Sequence, residues 1–78
     1  MLKTGEVLDH YYLETRCMLL DIAATLDRLD AAAERDQCAA PRDDRRLQQI
    51  YQSLELLAAP DATADRTERL LNLFSDLD

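Results

Sequence analysis

Four side chains in the first half of the chain have the chemistry of metal ligands: an imidazole, two carboxylates and a thiol. They are His10, Glu14, Cys17 and Asp21. At about 100° per residue, all four fall on one stripe of a helix. His10 and Glu14 are four residues apart, which is close enough to share an ion. Since all three ligand types bind first-row metals, a metal or small-ligand site at His10, Glu14 and Asp21 is one hypothesis for this chain.

The competing interpretation is that this stripe is a solvated edge beside an apolar surface. Metal sites in helical bundles take ligands from several facing helices. The second half of the chain has no histidine and no carboxylate that clearly faces inward. A second copy would have to supply the missing ligands. We favour the solvated edge and therefore expect no cofactor.

The sequence offers little for other catalytic chemistry. Ser53 and Ser75 lack the glycine-rich elbow of hydrolase nucleophiles, and the single histidine cannot complete a triad with them in one subunit. With Gly5 as the only glycine, a glycine-rich phosphate loop is excluded. The small, acidic, helical chain is similar to acyl carrier proteins in composition only. Those carriers present an Asp-Ser-Leu motif, whereas Ser53 follows Gln52. We expect a protein that is not an enzyme.

Charge limits the partners that this chain can bind. Its 78 residues include 16 acidic and 9 basic side chains, for a net charge of -7. Nucleic-acid binding needs clustered lysine and arginine, and anionic membranes would repel this surface, so we expect neither partner. The start lacks the apolar core of a secretion signal, and no apolar run approaches the roughly 18 residues of a membrane span. These features predict a cytoplasmic protein.

The first predicted helix is unusually long. No glycine or proline interrupts residues 6–40. The helix should start near Thr4 or Gly5, and Thr4 is a candidate N-cap, because threonine side chains accept hydrogen bonds from the first turn. The helix should run to about residue 37 and end before Pro41, because the residue before a proline avoids the helical region.

Two shorter helices should follow. Pro41 is expected to open the second, with Asp43 and Asp44 in its first turn. Asp61 or Thr63 should cap the third. The apolar face of the second helix is expected at Leu47, Ile50, Tyr51, Leu54, Leu57 and Ala58, with Leu56 pointing away. That of the third is expected at Leu70, Phe74 and Leu77, flanked by Leu71 and Leu73.

The first helix carries two apolar stripes in alternating steps of four and three residues. The main seam consists of Leu8, Tyr12, Thr15, Leu19, Ile22, Leu26, Leu29 and Ala33. The second seam consists of Leu13, Cys17, Leu20, Ala24 and Ala31, with Asp27 as its one polar break. The two seams lie on roughly opposite sides of the helix. This helix therefore needs two partner surfaces.

Helix lengths decide which seam its own chain can cover. The first helix should be about 50 Å long and each of the others about 25 Å. We expect the short helices to cover the main seam and to leave the second seam exposed as an interface. The sequence thus predicts an all-α, single-domain three-helix bundle over residues 1–78 that forms a homodimer through its first helix. The alternative is a monomer whose first helix bends near residues 25–33 and buries every apolar face.

Overall fold

The computed structural model describes residues 1–60 and 64–75, and in these ranges the regular structure is helical throughout. The helices are α1 (Thr4–Arg35), α2 (Arg45–Leu57) and α3 (Arg66–Ser75). The all-α class, with one long N-terminal helix and two shorter ones, is confirmed. The chain divides into two compact units, Met1–Ala40 with α1 and Pro41–Asp78 with α2 and α3. A single domain over residues 1–78 stays a prediction.

The amino end of α1 is set by the backbone and not by a side-chain cap. Lys3 is the N-cap residue, in an extended conformation with φ -75° and ψ 164°, and its side chain makes no capping hydrogen bond. The Val7 N–H donates to the Lys3 carbonyl oxygen over 2.9 Å. The predicted start near Thr4 or Gly5 is confirmed, but Thr4 is the first helical residue and not the N-cap.

The carboxyl end of α1 is a Schellman motif, two residues before the expected end. Gln37 adopts a left-handed conformation with φ 56°. The Cys38 N–H donates to the Ala33 carbonyl oxygen over 2.9 Å, and the Gln37 N–H donates to that of Glu34 over 3.1 Å. This motif is usually built around glycine, because a Cβ disfavours positive φ. Gln37 therefore occupies the left-handed position after the helix, where glycine is preferred.

The start of α2 corrects the expectation drawn from Pro41. Proline is tolerated in a first helical turn, but here it precedes the helix: the Asp44 N–H donates to the Pro41 carbonyl oxygen over 3.0 Å, closing a turn. Asp44 is the N-cap, and its Oδ1 accepts from the Arg46 N–H over 2.9 Å. Asp43 and Asp44 thus lie outside the helix. The Asp44 carboxylate at the cap satisfies a backbone N–H that would otherwise lack a partner.

The Asp44 cap is reinforced by an ion pair with Arg46. The guanidinium donates to Oδ1 from Nε over 3.0 Å and to Oδ2 from a terminal nitrogen over 2.6 Å. These side-chain hydrogen bonds, followed by the one from the Arg46 backbone N–H, lower the pKa of Asp44 from its ordinary 3.8 to about 2. The side-chain hydrogen bonds to Asp44, followed by its negative charge, raise the pKa of Arg46. The folded helix therefore favours the ionised form of the Asp44 carboxylate.

The buried face of α2 is rotated from the expected one, towards two polar residues. Leu47, Gln49 and Ser53 are buried. Ile50, Leu54 and Leu56 are half-buried, whereas Tyr51 and Leu57 are 54% and 43% exposed. Leu56 was expected to point away, and Tyr51, Leu57 and Ala58 were expected on the buried face, so that part of the prediction is wrong. Gln49 donates a hydrogen bond to α3 and Ser53 donates one within α2, so both polar side chains are buried with their donors satisfied.

Helix α3 packs against α2 within the second unit. Leu70 and Leu73 are half-buried, while Phe74 is 46% exposed and Leu71 is 64% exposed. The expected Leu70 contact face is therefore shared with Leu73 and not with Phe74. The Arg69 N–H donates to the Asp65 carbonyl oxygen over 3.0 Å, so helical hydrogen bonding begins at Asp65. The caps expected at Asp61 and Thr63, and the apolar residue Leu77, lie outside the described residues.

Candidate interaction surface

The second seam of α1 lies open to solvent along most of its length. Leu13 and Leu20 are 64% and 57% exposed. Cys17 and Ala31 are also exposed, and Ala24 is half-buried. The exposure that we expected for this seam is therefore present. Its use as an interface stays a prediction.

The main seam is exposed over its first half, and its cover by the chain's own short helices stays a prediction. Leu8, Tyr12 and Leu19 are each more than half exposed. Burial along this seam is found further on, where Leu26 and Leu29 are half-buried and Ala33 is buried.

The two short helices, α2 and α3, pack against each other. The Gln49 Nε2 donates to the Leu73 carbonyl oxygen on α3 over 2.9 Å. The Ser53 hydroxyl donates to the Gln49 carbonyl oxygen over 2.7 Å, within α2. Sequence periodicity missed Gln49 and Ser53 because it assigns polar residues to the surface. Their four-residue spacing on one side of α2 was the only signal that could have indicated a shared position.

A shallow apolar concavity lies on α1 between the exposed parts of the two seams. Its volume is about 400 Å³. It is lined by Tyr12, Thr15, Arg16, Leu19, Leu20 and Ala23. An apolar depression on an exposed helix offers a place for side chains of a partner helix, in the manner of knobs packing into holes.

Charged residues of both signs border the second seam. Glu14 and Arg16 lie beside its first half, and Arg28 and Asp30 lie beside its second half; all four are exposed. The ion pairs between described residues are Arg35–Asp36, Arg46–Asp44 and Arg69–Asp65. None of the four seam-flanking charges is paired within the described ranges, so they are available to charges on a partner.

The metal-ligand stripe does not form a complete site within one chain. No group of three or more His, Cys, Asp or Glu residues in the described ranges is placed to hold a metal ion. His10 and Asp21 are eleven residues apart, or about 16 Å along a helix, while metal–ligand bonds are about 2 Å. His10, Glu14 and Asp21 therefore cannot meet at one ion in one chain. The His10 ring instead makes an edge contact with Tyr11, with ring centroids 4.6 Å apart.

Both thiols are available on the surface. Cys17 and Cys38 are free and exposed. Cys17 lies in the second seam, where a cysteine serves as a small apolar residue. Its position makes it a natural reporter of whatever packs on that seam.

A second depression lies on the α2–α3 unit and is polar. It has a volume of about 220 Å³ and is lined by Arg45, Gln48, Gln49, Gln52 and Leu73. The lining groups are amides, one guanidinium and one leucine. They include no nucleophile or general base, so we assign no catalytic role to this depression.

Comparison with known protein families, curated proteins and solved structures finds no match for this chain. Its function is therefore argued from its own residues. In the described part of the chain, none of the helices combines the length and the apolar character that crossing a membrane requires.

Proposed function

We propose that this chain is a non-enzymatic self-association module and that α1 is its interacting element. The supporting observation is the exposure of large apolar side chains on both seams between residues 8 and 22. Contiguous exposed apolar surface commonly marks an interface. Two-fold homodimers are the commonest closed assembly of soluble proteins, which makes a second copy the proposed partner.

The second seam is the proposed contact face. Cys17, Ala24 and Ala31 are small, so a partner helix can approach closely, while Leu13 and Leu20 supply apolar surface to bury. Burying a leucine side chain stabilises an association by about 1.5–3 kcal/mol before ordering costs are counted. Two leucines from each copy are therefore a substantial share of the affinity.

The proposal is tested by mass in solution. Sedimentation or light scattering of the purified protein should give twice the chain mass of 8.9 kDa, with dissociation on dilution. Leu20→Asp should yield a monomer, because it places a carboxylate in the contact face. Leu71→Asp is the matched control, since Leu71 is similarly exposed on α3. An unmodified protein that is monomeric throughout its soluble concentration range would falsify the proposal.

A further inference from the structure

We infer that two copies of α1 pair antiparallel through the second seam, with the two-fold axis at the level of residue 22. This inference rests on the proposed self-association and names a second copy of this chain as the partner.

Residue sizes favour the antiparallel register in which Leu20 lies opposite Ala24 of the second copy. In that register Leu13 lies opposite Ala31, and each of these contacts occurs twice because of the two-fold axis. Each pair of apolar residues that face each other across the axis (a layer) thus joins a large side chain to a small one. This keeps the distance between the helices even along the seam. Asp27 lies opposite Cys17 and not opposite another aspartate.

Charge complementarity favours the same register. In antiparallel coiled coils, the residues at one flanking heptad position face the residues at the same heptad position on the partner helix. The charges of these pairs set the orientation of the helices. Here Glu14 lies beside Arg28 of the second copy, and Arg16 lies beside Asp30. These four residues are exposed and have no ion-pair partner in the described part of the chain. One unfavourable pair, Asp21 with its own copy, remains at the axis.

The other registers of this seam are worse. Parallel pairing gains flanking ion pairs such as Arg16 with Asp21, but it places Asp27 against Asp27 inside the seam and Asp9 beside Glu14. An antiparallel shift by one heptad in one direction puts Glu14 beside Asp21.

The opposite antiparallel shift pairs Asp21 with Arg28 and keeps Leu20 opposite an alanine, Ala31. However, it brings Asp27 against Ala24 and takes Leu13 away from Ala31. The register centred on residue 22 is therefore the one that places both leucines of the seam opposite alanines and also pairs Glu14 with Arg28.

Disulfide mapping tests the orientation directly. In the Cys38→Ser background, Asp27→Cys should give a covalent dimer on mild chemical oxidation, linked between Cys17 of one copy and position 27 of the other. Cys38→Ser alone should not crosslink, because the two Cys17 Cα atoms would be about 15 Å apart and a disulfide needs about 7 Å or less. Thr15→Cys, on the opposite side of α1, is the control for random collision.

Charge reversal tests the register independently. Glu14→Arg and Arg28→Glu should each weaken the dimer about tenfold, because each reverses two symmetry-related contacts. The double variant should recover most of the affinity. Parallel pairing predicts the opposite result for Glu14→Arg, which would relieve a repulsion with Asp9. Glu55→Arg, an equal charge change on α2, is the control.

The outcomes separate this inference from the proposed function. A monomeric unmodified protein overturns both. A dimer that crosslinks Cys17 to Cys17 overturns the antiparallel arrangement and leaves self-association standing. A dimer that Asp27→Cys does not crosslink, and that Glu14→Arg does not weaken, overturns use of the second seam.

Discussion

Gln49 on α2 reaches across to α3, where its Nε2 donates a 2.9 Å hydrogen bond to the carbonyl oxygen of Leu73. Gln49 is only 6% exposed. Leu73 lies near the carboxyl end of α3, where helix carbonyls often need a partner from outside the helix. This bond joins the two short helices by a polar contact within a largely apolar interface.

Removing this bond should destabilise the α2–α3 unit. We expect Gln49→Ala to lower the free energy of unfolding by about 1–2 kcal/mol, because it leaves a carbonyl without its donor. Urea denaturation followed by circular dichroism measures the change. Gln52→Ala, on the exposed rim of the same polar depression, should change it by less than about 0.5 kcal/mol. Equal effects of the two variants would contradict a specific role for Gln49.

The Asp44 cap should make the stability of α2 vary with pH in the acidic range. The folded-state pKa of Asp44 is about 2, below its ordinary 3.8. A lowered pKa means that the stabilisation is complete above about pH 4 and is lost as the pH falls towards 2. Asp44→Asn should keep a capping oxygen but flatten this part of the pH profile, as measured by thermal unfolding at each pH. Asp43→Asn is the control, and an unchanged profile in Asp44→Asn would argue against the assignment.

Gln37 holds a backbone conformation that glycine adopts at lower cost. We expect Gln37→Gly to stabilise the carboxyl end of α1 by about 1 kcal/mol, since φ is 56° at this position. Gln37→Val should destabilise it, because a β-branched side chain resists positive φ. Amide hydrogen exchange at Cys38, whose N–H donates to the Ala33 carbonyl oxygen in this motif, reports the local change. Faster exchange in the glycine variant would show that the Schellman motif does not limit this end.

The metal hypothesis makes a separate prediction about zinc. A single chain cannot bring His10, Glu14 and Asp21 to one ion, so we expect no stoichiometric Zn²⁺ binding in calorimetric titration of the protein. Zinc binding that has a defined stoichiometry and disappears in His10→Ala would contradict this expectation. That result would revive the metal-binding alternative in a form that needs two copies.

The three helices were predictable from composition and from the positions of glycine and proline. Their exact ends and their buried faces were harder to predict. The length of α1 follows from the absence of glycine and proline between residues 6 and 40. The start of α2 was missed because Pro41 permits a helix start without requiring one. Asp44 competes for that role by capping and pairing with Arg46, an interaction that depends on side-chain geometry.

Coverage of the apolar surfaces could not be predicted from one helix at a time. Periodicity identified both seams of α1, and the exposure of the second was expected. The exposure of Leu8, Tyr12 and Leu19 was not. On α2, the buried face differs from the one that hydrophobic patterns indicate. Gln49 and Ser53 join that buried face through hydrogen bonds, which hydrophobic patterns do not register.

The Asp44 cap also bears on the order of folding. Its hydrogen bonds join residues two positions apart, so closing this ring costs little chain entropy, whereas the Gln49–Leu73 bond closes a loop of 24 residues. Helix nucleation is the costly step in forming an isolated helix, and a local cap lowers that cost at one defined place. We therefore expect α2 to nucleate at Asp44 before α3 docks, which stopped-flow refolding of Asp44→Ala, with a slowed folding rate, would reveal.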